Sequence, residues 1–170
     1  MAQEKGEKAV SYEFSDEECK KAAGKAMSLL LHKDRTRKEL SDRLYRAGFS
    51  EEASREAMEY VEYFGYIDDR RYTENYIMFH RGKKSRKEIL YKLLEKGISK
   101  ELVYSVMEEG DPEDMDEKDA IRSLVQKKLK GRLISEISYE EKNKIKAFLG
   151  RKGFEPDEIR SVLLELDNPS

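Results

Sequence analysis

Three segments of this chain can be laid on one another residue for residue, and the pattern they share sets most of what the chain can become. They read TRKELSDRLYRAGFSEEASREAM, SRKEILYKLLEKGISKELVYSVM and EKNKIKAFLGRKGFEPDEIRSVL, beginning at Thr36, Ser85 and Glu141. Each carries an apolar residue eight positions before a glycine (Leu40, Ile89, Ile145) and another four before it (Leu44, Leu93, Leu149). The glycines are Gly48, Gly97 and Gly153, followed at once by Phe49, Ile98 and Phe154. Nine and ten residues after each glycine stands an apolar pair: Ala57 with Met58, Val106 with Met107, Val162 with Leu163. An internal repeat of this kind announces an array of like modules.

The unit has a direct physical reading. Apolar residues four apart share one face of a helix, and a glycine can end that helix in the left-handed conformation without a Cβ penalty. A second helix follows, for which Ser50 and Ser99 are natural N-caps and Pro156 suits the first turn. The glycines are 49 and 56 residues apart, which leaves room for one more helix before each pair. Those helices show as stripes: Ala23, Ala26, Met27 and Leu30; Tyr72, Tyr76 and Phe79; Ile121, Leu124 and Val125. No stretch alternates in the manner of a strand. The expectation is an all-α fold of nine helices in three tandem three-helix modules, forming an elongated array. The modules fall at 15–66, 67–110 and 111–170, after a mobile tail at 1–14. Of the linkers, 110–117 (GDPEDMDE) is acidic and contains Pro112, and is expected to be the hinge; 65–72 (GYIDDRRY) is expected to be tighter.

Composition agrees with an extended array. Charged residues make up 41% of the chain and hydrophobic ones 38%, against about 25% charged in an ordinary domain, so the core must be thin. The net charge of −2 gives no long-range attraction to a polyanion, and only its distribution can. From Arg70 to Lys100 there are ten Lys or Arg and three Glu; from Glu101 to Asp119 there are nine acids and Lys118 alone. Cys19 is the only cysteine, which excludes an internal disulfide and points to a reducing, cytoplasmic home. No apolar run is long enough for a membrane span, and no signal peptide is expected at the N-terminus.

The inventory of reactive groups argues against an enzyme. His32 and His80, the only histidines, have no second ligand at metal spacing, and no phosphate-cradling glycine motif is present. Neither a metal nor a cofactor is expected. Glu17 and Glu18 beside Cys19 would raise its pKa and disfavour a nucleophile. Asp68 and Asp69 form the one suggestive carboxylate pair, but just ahead of a helix they read as capping groups. Seven of the sixteen aromatics lie between Tyr60 and Phe79; Phe64, Tyr72, Tyr76 and Phe79 recur at helical intervals and are expected to pack where the first module meets the second. The best candidate for function is the basic run RGKKSRKE at 81–88. The candidate partner-binding residues are Arg70, Arg71, Arg81, Lys83, Lys84, Arg86 and Lys87. A solvated face is the plain alternative to contact with phosphates or an acidic protein surface. The run QKKLKGR at 126–132 is of the same kind and weaker.

Several stretches together resemble the RecX regulators of the bacterial recombinase RecA. They are GYIDDRRYTENYI at 65–77, DRTRKEL at 34–40 with LYRAGF at 44–49, LLEKGI at 93–98 and FLGRKGF at 148–154. The IDD followed by an arginine is the most specific, and the likeness covers residues 20–166. It implies a curved array of three three-helix repeats and a non-enzymatic regulator, with no cofactor, that binds RecA nucleoprotein filaments. There it would restrain recombinase, ATPase and coprotease activities in DNA repair and the SOS response. A monomer is expected. Single- or double-stranded DNA is the alternative partner, since the last two helices of each module resemble a helix-turn-helix. Against this, the would-be recognition helices at 50–62, 99–109 and 156–166 are acidic or mixed and would repel phosphates.

Overall fold

A computed structural model describes residues 11–111 and 116–168; the first ten residues of the expected tail lie outside the described residues. All regular structure among the described residues is helical, in nine α-helices: α1 (Glu17–His32), α2 (Arg37–Arg46), α3 (Glu51–Tyr63), α4 (Asp69–His80), α5 (Arg86–Glu95), α6 (Lys100–Glu109), α7 (Lys118–Leu129), α8 (Tyr139–Arg151) and α9 (Pro156–Asp167). A short 3-10 turn, Ile134–Glu136, precedes α8. None of these helices is long and apolar enough to cross a membrane. Three separate apolar cores correspond to α1–α3, α4–α6 and α7–α9. The chain divides into two compact units between Asp68 and Asp69, the second holding α4 to α9.

In the first unit the repeat is realised as read. Leu40 and Leu44 are fully buried on α2, which ends at Gly48 with φ +86°. Ser50 caps α3 by accepting from the Ala53 N–H at 3.1 Å. Thr36 and Glu39 form a reciprocal capping box at the head of α2, both bonds 3.2 Å. Small residues (Ala22, Ala23 and Ala26 on α1; Ala53 and Ala57 on α3) are all buried, so these helices can approach closely. The last residues of the expected tail are packed: the Tyr12 and Phe14 rings lie 5.0 and 5.2 Å from that of Tyr60. Phe64 joins the same cluster, 6.4 Å from Tyr12.

In the second unit Ile89, Leu93, Ile145 and Leu149 are buried, and Gly97 and Gly153 take φ +83° and +94°. Ser99 caps α6 and Pro156 opens α9. One local reading needs correction. On α4 the buried residues are Thr73 and Ile77, while Phe79 is 64% exposed; Thr73 can turn inward because its hydroxyl donates to the Asp69 carbonyl at 2.7 Å. In the third copy of the repeat the helix begins ahead of the aligned segment. Ser138 caps it, and Glu141 is the third helical residue, returning a bond to the Ser138 N–H.

Hydrogen bonds join α4–α6 to α7–α9 inside this unit. The Ser85 hydroxyl, which caps α5, also donates to the Lys152 carbonyl at 2.5 Å. The Glu117 carboxylate accepts from the Arg86 N–H at 2.5 Å. The 110–117 linker was the expected hinge; its residues 112–115 lie outside the described residues, but its last residue, Glu117, is buried and bonded.

Candidate functional site

The basic residues singled out above occupy three places in the second unit. Arg70 and Arg71 lie in the first turn of α4, Arg81, Lys83 and Lys84 in the turn that follows it, and Arg86 and Lys87 in the first turn of α5. The turn is closed by Gly82 at φ +71° and by the Arg81 N–H donating to the Ile77 carbonyl at 2.8 Å. Arg70 and Arg81 share the rim of a hollow of about 330 Å³ between α4 and α6, floored by Ile77, Met78, Val106 and Met107. Arg81, Lys84 and Arg86 meet again around Asp116 and Glu117. Lys87 turns toward α9.

Much of this charge is already engaged. Arg70 bridges Glu74 at 3.1 Å and also binds Glu109. Lys84 lies 3.8 Å from Glu88. Lys87 lies 2.6 Å from Glu155, whose hydrogen bond and charge hold its ammonium pKa above the ordinary lysine value. The Lys83 ammonium sits 4.1 Å over the Phe79 ring. Exposed pairs like these are worth only about 0–1 kcal/mol each. A partner's phosphates or carboxylates could replace them at small cost, so pairing weakens the patch as a contact surface without abolishing it.

The other candidate groups carry no catalytic constellation. Cys19 is 1% exposed, and its thiol is pushed up to about 12 by the Glu56 carboxylate, then by burial and by Asp16. His80 packs against Tyr76 at 4.2 Å, and burial, then Lys84 and Lys83, lowers its pKa below the ordinary histidine value. His32 is exposed. Asp69 lies in the first turn of α4, as befits a group that complements the helix dipole. Among the described residues no three His, Cys, Asp or Glu are grouped to hold a metal ion.

One surface is stronger in the structure than in the sequence. Over 120–135 and 142–154 there are ten Lys or Arg and not one acid. The fold sets α7 beside α8, so the Lys128 and Lys152 ammoniums lie 4.2 and 5.2 Å from the Phe148 ring centroid. Lys152 and Arg151 also line a hollow with Lys87 and the exposed Tyr91. Lys127, Lys128, Lys144, Lys146, Arg151 and Lys152 make no salt bridge among the described residues. In the sequence only the run at 126–132 stands out, as the weaker of two, and the basic residues of 142–154 do not. The absence of acids from both was the signal that could have joined them.

Comparison with known proteins agrees with this architecture. Residues 22–60 match the family model for the first three-helix domain of RecX, and residues 116–163 that for the third. The chain is 36% identical over 151 residues to the regulatory protein RecX of Caldanaerobacter subterraneus, covering 86% of this chain and 71% of that one. It is 31% identical to the regulatory protein RecX of Chlorobium phaeobacteroides, covering 88% and 96%. The crystal structure of RecX from Lactobacillus salivarius superposes with a TM-score of 0.73 at 27% identity, covering 88% of this chain and 97% of that one.

Proposed function

The chain belongs to the RecX family of regulatory proteins, and from that premise we propose that it regulates the recombinase RecA by binding its nucleoprotein filament. Its action is inhibition of recombinase, ATPase and coprotease activity, exerted by binding and without chemistry of its own. The observation that carries the reading is the likeness to RecX regulatory proteins over nearly the whole chain. The repeated helix-glycine-helix units support it, since they build an array of charged surfaces around thin cores, suited to a large partner. The site of action is the cytoplasm, where the filament forms during DNA repair and the SOS response.

Within this reading the surface from Arg70 to Lys87 meets the filament through several charges acting together. The test is the DNA-dependent ATPase of RecA from the same organism, on single-stranded DNA. Sub-stoichiometric protein should slow it, with the protein co-sedimenting with the filament. Normal ATPase at an excess of the protein would sink the reading.

A second reading, direct contact with nucleic acid, is favoured by the acid-free stretches 120–135 and 142–154, which hold most of α7 and α8. Lys128 and Lys152 lie over Phe148, and Arg151 and Lys152 share a hollow with Tyr91, an arrangement that can neutralise phosphates and stack a base. The contact would come from the first two helices of this group. The third, α9, opens with Asp157 and Glu158.

A further inference from the structure

Glu117 stands at the head of α7 and is only 8% exposed. One of its oxygens takes the Arg86 N–H, so it serves as a remote cap for the first turn of α5. Beside it, from the first turn of α9, comes Glu158, within hydrogen-bonding reach of the Glu117 carboxyl. The Glu158 Oε2 is buried and receives no donor among the described residues. An ionised carboxylate is an acceptor only. Two of them in contact, out of water, would repel and leave that oxygen unsatisfied. A single proton removes both faults, giving Glu158 Oε2 or its neighbour a donor and halving the charge.

We propose that Glu117 and Glu158, both on the α7–α9 side of the seam, share one proton, and that its loss sets two buried carboxylates against each other beside the Arg86 N–H, so that the seam to α4–α6 loosens as the pH rises. The pair sits among the other contacts of that seam. The Ser85 hydroxyl reaches Lys152 close by, and a hollow of about 310 Å³ opens between Leu90, Tyr104, Met107 and the two glutamates. Charged groups face the pair from every side. From α5 and the turn before it come Arg81, Lys84, Arg86 and Lys87; from its own segment, Asp116, with Lys118 next in the chain; from α9, Glu155. Several of the bases are drawn elsewhere: Lys84 to Glu88, Lys87 to Glu155 and Lys118 to Glu165. Burial, with Glu158 adding to it, therefore prevails over the Arg86 N–H and charge, and the Glu117 pKa is raised.

The direction of the effect follows from linkage. A carboxyl whose proton affinity is higher in the folded state contributes stability that is fully present below the ordinary glutamate pKa. That contribution is lost as the pH rises through the raised value. Many exposed carboxylates also titrate, so the pair must be isolated by comparison with neutral variants. In Glu158→Gln or Glu117→Gln an amide N–H takes the place of the shared proton at every pH.

Thermal unfolding of the full chain and both variants should be followed from about pH 4.5 to about pH 8. The wild type should lose ground to each variant as the pH rises, opening a Tm gap of about 3 °C or more. Parallel curves would overturn the proposal. Should the variants fold poorly, carboxyl carbon NMR of the wild type decides instead. One glutamate titrating well above the others supports the shared proton, and all of them titrating in the ordinary range refutes it.

Discussion

Gly48 and Gly153 occupy the same place in the repeat and have nearly the same backbone, φ +86° and +94°, yet they are held for different reasons. Around Gly48 a Cβ would meet nothing within 4 Å. At Gly153 it would lie 2.8 Å from the Ser85 Oγ and 3.0 Å from the Lys87 Cβ. Gly48→Ala should therefore cost only the left-handed penalty, about 1–2 kcal/mol. Gly153→Ala adds overpacking against the hydroxyl that binds Lys152, about 1–3 kcal/mol more. Urea unfolding of the two variants measures the difference. Equal losses would mean that Ser85 turns aside without cost and that its bond to Lys152 does not matter.

At the scale of the helix, caps distinguish elements that the repeat makes look alike. Thr36 is fully buried and joined to Glu39 in both directions, whereas Ser50 is exposed and makes a single capping bond. Thr36→Ala should cost about 1–2 kcal/mol and Ser50→Ala about half that, read by denaturant unfolding. The helices were legible in the sequence because glycine, cap and apolar spacing all demand the same answer in each copy. The inward face of α4 was not, because Thr73 can be buried only once its hydroxyl has found the Asp69 carbonyl, and no residue count reveals that. The early start of α8 at Ser138 was hidden for a related reason: the capping box lies one turn ahead of where the aligned copies begin.

At the scale of the molecule, the basic run was legible and its neutralisation was not, since Glu109 and Glu155 are distant along the chain from Arg70 and Lys87 and reach them only through the fold. Two fourfold reversals to Glu separate the candidate surfaces, one at Lys83, Lys84, Arg86 and Lys87, the other at Lys127, Lys128, Lys144 and Arg151. The first should weaken control of the recombinase ATPase by more than about tenfold at low salt, with helicity unchanged; a single change, worth at most about 1 kcal/mol, should be nearly silent. The second should lower affinity for naked single-stranded DNA and flatten its salt dependence. Full retention in either assay would leave the corresponding surface a solvated face. Every one of these charges lies in the second unit, while the lone thiol, Cys19, lies in the core of the first. Shielded from solvent and with its proton held tightly, it cannot react with an alkylating reagent until that core opens. The rate at which it is modified is thus a clock for the opening of the first unit alone, ready to run beside any measurement made on the second without a label being introduced.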